Sequence, residues 1–111
     1  MLNEAKLAMQ VTDTEYEAEI ASLLMSAAND LKVAGVDIGG DVTFSVSNGA
    51  IVDLCTVDDP LIMRALITYA QANANWQPDN KAARFRESYE GQKCTLMHAT
   101  GYTDFGEAGT L

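Results

Sequence analysis

Residues 58–76 read DDPLIMRALITYAQANANW, and their order gives a helix its start and its buried face. The Asp59 carboxylate can accept from the free amides of a first helical turn, and Pro60 at the first helical position forfeits no intrahelical hydrogen bond. Behind them Leu61, Ile62, Ala65, Leu66, Tyr69, Ala72, Asn73 and Trp76 recur every three or four residues, which gathers them on one broad apolar face. The spacing predicts a helix from Pro60 to about Trp76, closed off by Pro78. A face that wide must be covered by neighbouring elements.

The flanking sequence supplies them. Asp79 reads as a new N-cap, and a further helix is expected from about Asn80 to His98. It carries Phe85, Tyr89, Leu96 and Met97 inward, with Lys81, Arg84, Arg86, Glu87, Glu90 and Lys93 mixed on the outside at ion-pair spacing. Upstream, Thr12 and Glu15 have the reciprocal spacing of a capping box. Tyr16, Ile20, Leu23, Leu24, Ala27, Leu31 and Ala34 then form one stripe, with Glu15, Glu19, Ser22, Asn29 and Asp30 outside it, and Gly35 ends the helix as a left-handed C-cap. A short first helix from Asn3, its expected N-cap, to about Met9 precedes it.

Between the second and third helices the period changes from helical to alternating. Val42, Phe44 and Val46 alternate, Asn48 and Gly49 suit a tight type I′ turn, and Ala50 to Val57 is again rich in β-branched residues. This predicts a hairpin, preceded by the Gly-rich stretch Asp37 to Asp41 and expected to make intersubunit or partner contacts instead of completing the protomer core. After Gly101 the remaining GYTDFGEAGTL has three glycines and no period, which reads as a mobile tail. The expected fold is mainly α: a four-helix orthogonal-type bundle with one inserted β-hairpin at about 41–57 and a flexible C-terminal tail at about 101–111, in a single domain over 1–111.

Composition narrows the function. The 111 residues are enough for one core, which would bury roughly two thirds of the surface of the unfolded chain. Seven Lys and Arg face sixteen Asp and Glu, a net charge of −9, and that field repels phosphate backbones and anionic membrane surfaces. No apolar run reaches the roughly 18 to 20 residues of a membrane span, and MLNEAKLAMQ is too polar for a signal peptide. A soluble cytoplasmic or virion protein is expected, with Cys55 and Cys94 as free, largely packed thiols.

Cys94 and His98 stand four apart on one helix face and could offer two zinc ligands or a thiol with its base. Two more ligands would be needed, and only Cys55 or distant carboxylates are available, so a packed Cys94 and a His98 stabilised at a helix C-terminus is the competing reading. Asp37 and Asp41 around Gly39 and Gly40 could hold calcium, yet the stretch lacks the ligand spacing of an EF-hand and reads as a turn. Phosphate-binding glycine loops and nucleophile elbows are absent. No catalytic, cofactor-binding or metal residue is assigned, no cofactor is implied, and the chain reads as not an enzyme.

The basic cluster Lys81, Arg84, Arg86 and Lys93 is interleaved with Glu87 and Glu90, which favours a solvated, salt-bridged face over a nucleic-acid contact. Aromatic side chains in segments unable to build a core favour an interface. The candidate interface residues are Trp76, Tyr102, Phe105 and Leu111, with Val42 and Phe44 of the hairpin.

Taken in order, MLNEAKLAMQVTD, DLKVAGV, DPLIMRALITYAQAN and RFRESYEGQKCTLMHATGYT resemble the head-to-tail connector (adaptor, head completion) proteins of tailed bacteriophages, often labelled phage DNA packaging proteins. The resemblance rests most on Asp59, Pro60, Leu61, Ile62, Arg64 and Ala65, on Tyr69, Ala72 and Asn73, and on Ser88, Tyr89, Glu90, Lys93 and Leu96. It covers nearly the whole chain except the hairpin, which looks like an insertion. A second departure is Ala74, Asn75 and Trp76, where many relatives carry an aromatic followed by glycine.

The resemblance implies a structural subunit of a dodecameric ring beneath the portal vertex, joining the DNA-filled head to the tail. Its implied partners are further copies of itself, the phage portal protein and a tail-side stopper or tail-completion protein, with the C-terminal region reaching towards the portal. DNA would pass through the channel without specific binding, no membrane would be involved, and the protein would reside in the virion after assembly in the host cytoplasm. Two alternatives remain at this level: a small acidic adaptor or regulatory protein that binds one partner as monomer or dimer, and a metal-dependent enzyme using Cys94 and His98.

Overall fold

The structure, a computed structural model, describes residues 1–12, 15–74 and 78–98. The elements are α1 (Leu2–Ala8), α2 (Glu17–Val33), β1 (Phe44–Ser47), β2 (Ala50–Asp53), α3 (Pro60–Asn73) and α4 (Asp79–His98). The chain is thus mainly helical with one small antiparallel sheet.

The local signals expected to be strongest act as expected. The Asp59 carboxylate accepts from the amides of Leu61 at 2.8 Å and Ile62 at 3.5 Å, with Pro60 in the first turn. At the end of α2, Gly35 has φ 91°, its amide bonds the Lys32 carbonyl at 3.0 Å, and the Val36 amide bonds the Leu31 carbonyl at 2.9 Å. This pair of bonds is a Schellman closure, which only glycine enters cheaply, and Val36 packs back into the core beside Leu31. The hairpin pairs Phe44 with Asp53, Ser45 with Val52, Val46 with Ile51 and Ser47 with Ala50. Asn48 and Gly49 turn it with φ 52° and 79°, the positive pair of a type I′ turn.

Helix boundaries that depend on distant residues differ from expectation. Helix α1 begins at Leu2, one residue before the expected Asn3 cap. Its leading amide, that of Leu2, is bonded at 2.8 Å by the Asp53 carboxylate, which also meets the Met1 amine at 2.7 Å. The cap thus comes from β2, not from the helix's own sequence. Helix α2 begins at Glu17 after Tyr16, with no side-chain cap, so the Thr12–Glu15 box does not start it. A Lys6–Glu17 ion pair at 2.7 Å, with both side chains largely covered, ties this end to α1 instead. Helix α3 stops at Asn73 because Ala74 is extended with ψ 135°, and the Asn73 side chain turns back to the Tyr69 carbonyl at 2.9 Å.

The core lies between α2 and α3. Ile20, Leu24 and Leu31 of α2 and Ile62 and Leu66 of α3 are fully buried, joined by Leu2 and Ala5 from α1, by Met9 just after it and by Tyr89 and Leu96 from α4. Each such large aliphatic side chain contributes about 1.5–3 kcal/mol of transfer free energy relative to full exposure. Ile38, in the Gly-rich stretch that read as a loop, and Val57, at the end of the expected hairpin and beyond the observed β2, are also buried. Met97, expected inward, is exposed.

The hairpin is not separate from this core. Val42, Phe44 and Ile51 are half-buried against it, so its inner side does help to complete the protomer. Its ladder continues through Leu54 to the Thr43 carbonyl and Thr56 to the Asp41 carbonyl, each at 2.9 Å. Alternation along these strands places Asp41, Thr43, Ser45, Val52 and Leu54 on the outer side.

Candidate functional site

Two features of α4 govern what the surface can do. The first is how it is fastened. The buried Tyr89 hydroxyl donates to the Asp30 carboxylate of α2 at 2.5 Å, and Lys93 reaches the same carboxylate oxygen at 3.2 Å. The Lys93 ammonium lies 5.7 Å from the Tyr89 ring centre, and the Tyr69 ring of α3 meets Tyr89 edge-on at 5.1 Å and 74°. Burial, followed by the bond to the Asp30 carboxylate, pushes the Tyr89 hydroxyl well above the ordinary phenol range, which fixes it as a donor. Asp30 was expected outside the α2 stripe; it is the joint between α2 and α4. Tyr69 and Tyr89 therefore act as structural residues, as Asp59 and Pro60 do at the start of α3. Glu90 only flanks the joint, exposed and 3.9 Å from Lys93.

The second feature is how little of α4 is covered. Tyr89 and Leu96 are its only buried residues, so an open groove runs between α3, α4 and the end of α1. Three adjoining concavities of about 530, 270 and 540 Å³ make it up. Arg64 and Gln92 line both of the first two, and Ala8, Gln71 and Phe85 join the first to the third. Leu61, placed by periodicity on the apolar face of α3, is 55% exposed and lines one end. The Gln92 Oε1 atom is buried with no hydrogen-bond partner among the described residues.

Arg64, Lys81 and Arg84 stand along this groove, and none of them makes an ion pair among the described residues. The expected salt-bridged face of α4 is therefore reduced to Lys93 with Glu90 and Asp30. Orientation explains the difference: Glu before the cation along a helix is the favourable order, which Glu90–Lys93 has and Arg86–Glu90 lacks.

Further exposed apolar side chains lie elsewhere. Leu54 and Val52 mark the outer side of the hairpin, and Met25 and Val33 line a concavity of about 590 Å³ along α2. Val42 and Phe44, expected at an interface, face the protomer's own core. Trp76, Tyr102, Phe105 and Leu111 lie outside the described residues. Leu61, Gln92, Val52 and Leu54 were not singled out as surface residues, because composition and period do not say which apolar positions a neighbouring element leaves uncovered.

The residues with reactive chemistry are scattered. Cys94, expected to pack, is exposed, as is His98, while Cys55 is half-buried. Burial and the neighbouring Asp53 push the Cys55 thiol up to about 11, away from thiolate reactivity. Both thiols are free. The Asp37 carboxylate accepts from the Gly39 amide at 2.9 Å, an Asx-type turn within the Gly-rich stretch. No group of three or more His, Cys, Asp or Glu suited to a metal occurs among the described residues. Among those residues, too, no helix is long and apolar enough to cross a membrane.

Comparison with curated proteins and with solved structures gives no match. The family model described as phage connector protein matches residues 1–103, a span that takes in all four helices and also the hairpin. The chain belongs to this family of phage head-to-tail connector proteins.

Proposed function

We propose that this structural connector subunit assembles into a closed, dodecameric ring beneath the portal vertex and links the DNA-filled head to the tail. The family match over residues 1–103 carries the reading. The surface supports it: a closed ring needs two different, mutually complementary faces on every subunit. The α3–α4 groove and the outer side of the hairpin are two such faces, both bearing exposed apolar side chains. Copies of itself are then the lateral partners, with the portal protein on one side and a tail-side stopper or tail-completion protein on the other. The segment carrying Tyr102, Phe105 and Leu111 supplies the portal contact. The net charge of −9 suits a channel through which DNA passes without specific binding.

Native mass spectrometry of the purified chain, alone and after addition of portal-bearing heads, tests this. Closed high-order oligomers in either condition support the ring. Monomers or dimers that bind one partner stoichiometrically, with no ring on the heads, would instead establish the small acidic adaptor.

A further inference from the structure

We propose that the α3–α4 groove is the receiving face of a head-to-tail contact between copies of this chain, filled by the outer side of the hairpin of the next copy. The proposal rests on the connector reading and specifies the surfaces through which its ring would close.

Charge distribution singles out the partner. Residues 1–59 carry eleven Asp and Glu against Lys6 and Lys32, a net charge of −9. Residues 60–98 carry Arg64, Lys81, Arg84, Arg86 and Lys93 against Asp79, Glu87 and Glu90, a net charge of +2. The acidic stretch includes the hairpin and the second stretch forms the α3 and α4 walls of the groove, which Glu4 of α1 also lines, so contact between these unlike surfaces is favoured over contact between like ones. Two different complementary surfaces on each copy are what a head-to-tail contact requires.

The groove side offers Leu61 and Phe85 as apolar surface, rimmed by Arg64, Lys81 and Arg84 without ion-pair partners among the described residues. The hairpin side presents the reciprocal chemistry. Val52 and Leu54 are exposed on its outer side beside Thr43 and Ser45, whose hydroxyls can donate. The flanking carboxylates of Asp41 and Asp58 are exposed and make no ion pair among the described residues. A hairpin one strand pair wide also gains stability when its second face is covered.

The test is a charge swap in the full-length chain. Arg64→Glu with Arg84→Glu makes the groove acidic, and Asp41→Lys with Asp58→Lys makes the hairpin side basic. All four residues are exposed, and circular dichroism reports whether each variant keeps its helices. Each variant alone is expected to lose self-association by at least about tenfold, as two like-charged contacts replace two attractive ones. An equimolar mixture is expected to reassemble, since the acidic groove of one then meets the basic hairpin of the other.

Wild-type association should also weaken about tenfold on going from roughly 0.05 M to 0.5 M salt, as the screening length shrinks; this arm needs no variant. Three outcomes overturn the proposal: variants that assemble like the wild type, a folded mixture that stays dissociated, or salt-independent assembly. If the groove variant loses affinity for duplex DNA but still forms rings, the groove serves nucleic acid and the connector reading stands without this contact. A wild-type chain that forms no ring alone or on portal-bearing heads overturns both.

Discussion

Replacing Tyr89 by Phe removes one oxygen from the joint between α2 and α4 and leaves the ring in place. The lost interaction is the 2.5 Å bond from a buried phenol to the Asp30 carboxylate. Hydrogen bonds to charged groups contribute about 1.5–3 kcal/mol net. Asp30 keeps its Lys93 partner at 3.2 Å, and Phe keeps the edge contact with Tyr69, so the lower part of that range, about 1.5–2 kcal/mol, is expected. For a chain of 111 residues this corresponds to a fall in Tm of roughly 6–9 °C. Urea unfolding of wild type, Tyr89→Phe, Asp30→Asn and the double variant gives the coupling directly, and at least about 1 kcal/mol is expected between the two positions. If the Phe variant costs less than about 0.5 kcal/mol, or the two changes simply add, the clamp does not hold α4 in place and the reasoning fails.

Other expectations follow from single contacts. The Met1 amine and the Leu2 and Cys55 amides hold the Asp53 carboxyl well below the usual carboxylate range even though burial opposes this. Its contribution is therefore fully present above the ordinary value of about 3.9 and is lost as pH falls below it; Asp53→Asn should flatten the acid limb of the stability curve, and an unchanged limb would exclude the long-range cap. A Cβ at Gly40 would lie 2.9 Å from the Thr56 backbone carbon and the Val57 nitrogen, so Gly40→Ala should lower stability by about 1–3 kcal/mol through local displacement, and an unfolding midpoint equal to wild type would contradict that close approach. Thiol titration with a disulfide reagent near neutral pH should modify Cys94 quickly and Cys55 at least about tenfold more slowly, given its exposure and raised pKa; equal rates would place Cys55 in a different environment.

What the sequence revealed and what it withheld divides by distance along the chain. Asp59–Pro60, Gly35 and Asn48–Gly49 each act within four residues of themselves, so their structural meaning is contained in a short window. The start of α1 depends on Asp53, 51 residues from Leu2, and no local pattern could replace Asn3 by it. Asp30 likewise read as a solvent-facing polar residue because its partners Tyr89 and Lys93 arrive from another helix. Periodicity placed Leu61 and Met97 inward, yet both are exposed, because exposure depends on whether a neighbour covers that end of the helix, and none of the described residues does so. Ile38 was hidden by the opposite effect: the glycines and aspartates beside it signalled a loop, while the core extends beneath. The groove itself arises from α4 covering α3 with just two buried residues, a property of the packed pair and not of either segment.

The most direct test of the central claim is cryo-electron microscopy of portal-bearing heads after incubation with the purified chain, reconstructed around the portal axis. The expected result is a closed ring of this subunit on the tail side of the portal, its channel open to DNA and its four helices resolved in every copy. Saturating binding with no ring density at the portal vertex, or density for one asymmetric copy at another site, would contradict the assignment as a ring-forming head-to-tail connector.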